Sequence, residues 1–145
     1  ALQETLQKFQ HQTGLPTRLQ LEGQGLPLPA DVQVQVLHVV QEALSNVRKH
    51  AGANHVSLDV HKGSQWRFVV RDNGSGFDTA QRHGETHVGT KIMRERAERI
   101  GATVLIESLP GRGTTVTLTL PPNPVAASSV GTVGLDFSES VLTIP

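Results

Sequence analysis

Along this chain the spacing of apolar residues switches between a helical and a strand period, and the order of the switches leaves few folds open. Leu2, Leu6 and Phe9 fall on one face of a helix over residues 1–13, with Gly14 as its stop. Residues 15–22 alternate as a strand, and residues 23–29, rich in Gly and Pro, read as a loop. Asp31 caps a long helix reaching about His50, with Val36, Leu37, Val40, Leu44 and Val47 as its apolar stripe. Strands over 54–61 and 65–71 meet at a turn, and strands over 103–109 and 114–120 meet at the tight turn from Pro110 to Gly113. Between these hairpins lie a Gly-containing stretch of low apolarity, 72–89, and a helix over 90–100 closed by Gly101. The order predicts an α+β fold: a two-layer α/β sandwich with helices on one face of a mixed, mainly antiparallel sheet.

Composition narrows the function. The 145 residues suit one domain, expected over 1–122, followed by a tail over 123–145. The tail is small and polar and is expected to be mostly disordered, with strand character only near 140–144. Lys+Arg and Asp+Glu are both 13, which argues against a general nucleic-acid binder. Cysteine is absent, so disulfides and thiolate metal sites are excluded. No apolar run approaches the roughly 20 residues needed to cross a bilayer. The chain begins at Ala1 rather than Met and reads as a fragment whose membrane anchor would lie elsewhere.

Four clusters carry the chemistry. On the long helix, Gln35, His38, Glu42, Asn46 and Lys49 recur at steps of three and four and share one face. That face is either solvated or a metal and phosphate site, with Glu42 and Asn46 offering hard oxygen ligands and Lys49 a charge. Asp72-Asn73-Gly74-Ser75-Gly76-Phe77 follows a strand and is either a turn or a place where backbone approaches a flat ligand; there Asp72 would accept from an adenine amino group. His87-Val88-Gly89-Thr90-Lys91 precedes a helix, where free N–H groups and Lys91 suit phosphate. Gly111-Arg112-Gly113-Thr114 by itself is a hairpin turn.

Taken together and in order, the clusters resemble a known family. Residues 41–51 (QEALSNVRKHA) look like the N box of histidine kinases, residues 72–77 like the G1 box, residues 87–97 like the G2 region, and Gly111 to Thr114 with the strand ending at Leu120-Pro121 like the closing motif. The chain is thus identified, over about residues 1–122, as a member of the ATP-binding catalytic domains of two-component sensor histidine kinases, within the GHKL or Bergerat superfamily. It is most similar to the nitrate/nitrite sensor kinases.

The resemblance implies ATP and Mg²⁺ as ligands. Asn46 would coordinate the metal, and Glu42 would support it by polarising water or the attacking group. Lys49 and His50 would lie near the phosphates. Asp72 would bind the adenine amino group with Gly74 and Gly76 close to the base, and Thr114 would join Asp72 through water. Gly89, followed by Thr90 and Lys91, would open the helix facing the phosphates, and residues 75–88 would form the ATP lid. The γ-phosphate would pass to a histidine on an upstream dimerisation domain and then to a response regulator. The whole protein would be a membrane-anchored homodimer, with this domain cytoplasmic. Thr90 departs from the Gly-Leu usual in the G2 region. Two other readings are a non-catalytic nucleotide-binding module and an anti-sigma-factor-like serine kinase on the same fold.

Overall fold

A computed structural model describes residues 2–24, 27–49, 52–80, 84–122, 124 and 141–142. The elements are α1 (Leu2–Thr13), β1 (Thr17–Gly23), β2 (Leu28–Pro29), α2 (Ala30–Lys49), β3 (Val56–Lys62), β4 (Arg67–Asp72), α3 (Glu85–Glu98), β5 (Thr103–Ser108), β6 (Thr114–Thr119) and β7 (Val141–Leu142). Five strands form one sheet in the order β1-β3-β4-β6-β5. Only β1 and β3 are parallel, as their connection through α2 requires. The other pairs in this sheet are antiparallel. This is the predicted mixed, mainly antiparallel sheet in an α+β fold.

Strand alternation fixes which face is covered. Along β6, Thr114, Val116 and Leu118 are buried, while Thr115, Thr117 and Thr119 between them are half-buried. Register carries the buried parity across the sheet through Val70 and Phe68 to Leu58 and Val60. The helices lie on that side. Leu2, Leu6 and Phe9 of α1 are buried, as the sequence implies.

The buried stripe of α2 is wider than the sequence reading, taking in Val32, Val39 and Ala43 as well, while Leu37 is only partly buried. The reason is position. α2 packs against α1, α3, β4 and β6, so it has three contact faces rather than one. Gln41, Leu44, Ser45 and Arg48 border α1. Glu42, Asn46 and Lys49 meet α3. Val36, Ala43 and Val47 fall on the remaining third of the helix surface, toward the core. Each fully buried Val or Leu contributes roughly 1.5–3 kcal/mol, so this central helix anchors the domain.

Two boundaries differ from the sequence reading. Residues 28–29, read as loop, form β2, which pairs antiparallel with β7 through Leu28↔Leu142 and Pro29↔Val141. β7 thus falls in the stretch 140–144 expected to have strand character; most of the tail lies outside the described residues. The third helix begins at Glu85 rather than Thr90. Gly84, at φ 94°, takes the backbone conformation that ends the preceding loop, and acidic Glu85 suits the positive end of a helix.

Candidate nucleotide site

α2 and α3 run antiparallel. Gln35, near the start of α2, accepts a hydrogen bond from Arg96 near the end of α3, at 3.5 Å. Lys49, at the end of α2, pairs with Glu85 at the start of α3, at 3.8 Å. Between these ties Gly89 lies against the side chains of Glu42 and Asn46. A Cβ built on Gly89 would stand 2.9 Å from Glu42 Oε2 and 3.2 Å from Asn46 Oδ1. A side chain there would have to displace the Glu42 and Asn46 side-chain ends.

This packing corrects one expectation and weighs against one of two readings of the α2 face. Gly89 does not open a helix; it is the fifth residue of α3, and residues 85–88 of the expected lid are helical. Asn46 does not sit on a solvated face, because α3 covers it and leaves it 4% exposed. A buried amide oxygen ordinarily has a partner. Asn46 Oδ1 has none, and among the described residues only Asp59 Oδ1 shares that condition. Asp59 has an evident engagement, since its other oxygen holds Arg71 at 3.1 Å.

Thr90 is buried, and its hydroxyl donates to the His87 carbonyl at 2.9 Å. The polarity that sets it apart from leucine is thereby satisfied within its own helix. Lys91 is exposed and borders a cleft with Thr79, His87 and Arg94. Two residues beyond Gly89 it points away from the α2 face, so the structure does not bring it together with Asn46. His50 lies outside the described residues.

Asp72 ends β4 at the same end of the sheet. From Lys49 the chain needs only residues 50–55 to reach Val56, the register partner of Asp72. Asp72 is also registered against Thr114, and Thr114 against Ser108. These side chains form one row on the helix-facing side, because opposed residues share a face. The Gly74 N–H donates to Asp72 Oδ1 at 2.8 Å and fixes the carboxylate. Asn73 Oδ1 accepts from the backbone N–H groups of Asn54 (2.7 Å) and His55 (3.2 Å), tying the turn to the start of β3.

Gly76 has a different reason from the one its sequence suggests. At φ +67°, its Cβ would meet the Leu109 carbonyl at 2.1 Å. Gly113, at φ +74°, would likewise collide with the Asp72 carbonyl. The two glycines let the 72–77 loop lie directly on the β5–β6 turn, where Gly111 N–H also donates to the Ser75 carbonyl. Ser108, which the sequence reading passed over, joins both pieces. It accepts from Phe77 N–H at 2.9 Å and contacts the Thr114 hydroxyl at 2.7 Å. Its placement two strands from β4, though near the loop in space, left no local signal.

Comparison with known proteins places this arrangement. The model of the family described as "Histidine kinase-, DNA gyrase B-, and HSP90-like ATPase" matches residues 31–124. The chain is 32% identical over 121 residues to the signal transduction histidine-protein kinase/phosphatase DegS of Brevibacillus brevis, covering 83% of this chain and 31% of that protein. It is 37% identical over 120 residues to the nitrate/nitrite sensor protein NarQ of Escherichia coli, covering 81% of this chain and 21% of that one. The chain thus spans about a fifth to a third of the length of these curated relatives. Full-length ShkA, solved in complex with AMPPNP, has the same fold at a TM-score of 0.61 and 20% identity, over 86% of this chain and 29% of that one. This chain therefore belongs to the histidine kinase-, DNA gyrase B- and HSP90-like ATPase family, as an ATP-binding catalytic domain of the sensor histidine kinase type.

Proposed function

We propose that the domain binds Mg²⁺–ATP between α2 and the 72–77 loop and donates the γ-phosphate to a histidine on a separate dimerisation domain. The observation that carries this reading is the orphaned, buried Asn46 Oδ1, next to Glu42 and beneath Gly89. A buried oxygen without a partner is costly unless a ligand completes it. A hard divalent cation fits that donor, and when bound it supplies neutralising charge to the phosphates. The solved complex of ShkA with AMPPNP supports nucleotide binding on this fold.

The residues divide the work. Asn46 holds the metal, and Glu42 orients water or the attacking group beside it. Lys49, now paired with Glu85, turns to the phosphates; an exposed ion pair of this kind is worth at most about 1 kcal/mol and yields readily. His50 belongs with it by sequence. Asp72 accepts from the adenine amino group, with Gly74 and Gly76 shaping the loop and Thr114 beside it. Gly89 and Thr90 bring backbone close to the phosphate end. Phosphoryl transfer needs chiefly positioning and charge neutralisation, which this set provides.

In the full-length protein the acceptor domain precedes this one, passes phosphate to a response regulator and joins two copies. Anchored in the membrane, such a sensor keeps this domain on the cytoplasmic side. No helix among the described residues is long and apolar enough to cross a membrane. ATP titration tests the metal assignment. Asn46→Ala should weaken binding at least about tenfold in Mg²⁺, the worth of one charge-assisted ligand contact, and change it little in EDTA. Equal losses in both conditions would remove Asn46 from the metal.

A further inference from the structure

The hydroxyl of Ser108, the last residue of β5, is buried and has three polar contacts. They are the Phe77 backbone N–H at 2.9 Å, the Gly113 carbonyl at 3.1 Å and the Thr114 hydroxyl at 2.7 Å. A serine hydroxyl has one proton and two acceptor lone pairs. The Phe77 N–H only donates, so it occupies one lone pair. The Gly113 carbonyl only accepts, so it takes the proton. One polarity remains for the third contact: Thr114 donates into the second lone pair. The Thr114 hydroxyl has then spent its proton and presents only lone pairs to anything else that approaches.

We propose that Ser108 is a positioning residue for base selection: it draws the Thr114 proton inward, makes Thr114 an acceptor beside Asp72, and so commits the site to a purine with its amino group at C6, where guanine carries a carbonyl. The inference rests on Asp72 and Thr114 forming the base site. An amino group has two N–H donors. Asp72 and Thr114 are register partners on the helix-facing side of adjacent strands. A carboxylate and a hydroxyl without a free proton take one N–H each, directly or through a water. From the base through Thr114 and Ser108 to the Gly113 carbonyl, every hydrogen bond then points the same way, and each polarises the next. A purine carrying a carbonyl at that position meets acceptor with acceptor. Were Thr114 free to rotate, it would turn its proton outward and satisfy that carbonyl; Ser108 withholds this option.

The test compares ATP and GTP binding in Mg²⁺ by calorimetry for the whole chain and for Ser108→Ala, Thr114→Val, the double variant and Asp72→Asn. The ratio of affinities is the readout, because a merely structural defect weakens both nucleotides alike. Ser108→Ala should lower the preference for ATP roughly three- to tenfold, the worth of one neutral hydrogen bond, mainly by strengthening GTP. The double variant should match Thr114→Val in its ratio. If the alanine variant does not fold, Ser108→Cys, with its weak donor and acceptor, should shift the ratio the same way. A changed ratio in Asp72→Asn with an unchanged ratio in the Ser108 variant overturns the role of Ser108. Unchanged ratios in both Asp72→Asn and Thr114→Val overturn the base-site reading, and the Ser108 inference with it.

Discussion

Asn46 and Asp72 show how single side chains acquire meaning from their surroundings. An asparagine on a solvated face says little, whereas one 4% exposed with its oxygen unpartnered is the observation on which the proposed metal contact rests. Asp72 is fixed by its own loop through the Gly74 N–H, so its carboxylate faces the site in a set orientation. Replacement by asparagine preserves that bond's acceptor and the side-chain shape. Asp72→Asn should therefore leave the melting temperature nearly unchanged. It should reduce discrimination of ATP over GTP by about 1–3 kcal/mol, because the acceptor pairing with the amino group is what is lost. Undiminished discrimination in paired titrations would return Asp72 to the role of a turn residue. The types of both residues were legible in the sequence. The burial of Asn46 was not, because a helix face is polar by composition whether solvent or α3 covers it.

At the scale of elements, the contact between α2 and α3 is the main departure from what local sequence conveys. Periodicity identifies α2 and its inward stripe, but Asn46 is buried by a helix that begins 39 positions later in the chain, at Glu85. The early start of α3 was hidden because Glu85-Thr86-His87-Val88 is short and follows Gly84, so it reads as loop. The helix contact predicts an unusual separation of stability from binding. Gly89→Ala raises helix propensity by about 0.8–1 kcal/mol. Its Cβ, 2.9 Å from Glu42 Oε2 and 3.2 Å from Asn46 Oδ1, displaces both donors. Thermal denaturation should show little or no loss, while Mg²⁺-dependent ATP affinity falls several-fold. Unchanged affinity would place the metal site away from this contact. Gly76→Ala should do the reverse. A positive φ and a Cβ 2.1 Å from the Leu109 carbonyl should cost at least about 1–3 kcal/mol of stability, read in denaturant unfolding.

For the molecule as a whole, the layer order explains both the fold's legibility and its division of labour. Hairpins with tight turns and in-out alternation announce an antiparallel sheet. The one parallel pair follows from the crossover through α2, and α1 and α3 flank that helix. The flanks bear on whether the chain could phosphorylate a histidine of its own. His11, exposed on α1, is the one that resembles a helical acceptor, yet α1 borders Gln41, Ser45 and Arg48, on a different flank of α2 from Glu42 and Asn46. Transfer needs donor and acceptor atoms about 3 Å apart and aligned, which that placement prevents. The proposed function puts the acceptor on another domain, and γ-labelled ATP tests this most directly. The chain is incubated with Mg²⁺ and label, alone and together with the separate helical acceptor domain of its own full-length protein. Acid-labile label is expected on the acceptor domain alone, lost with Asn46→Ala and absent when the chain is incubated by itself. Label on this chain without the acceptor, abolished by His11→Ala, would contradict it.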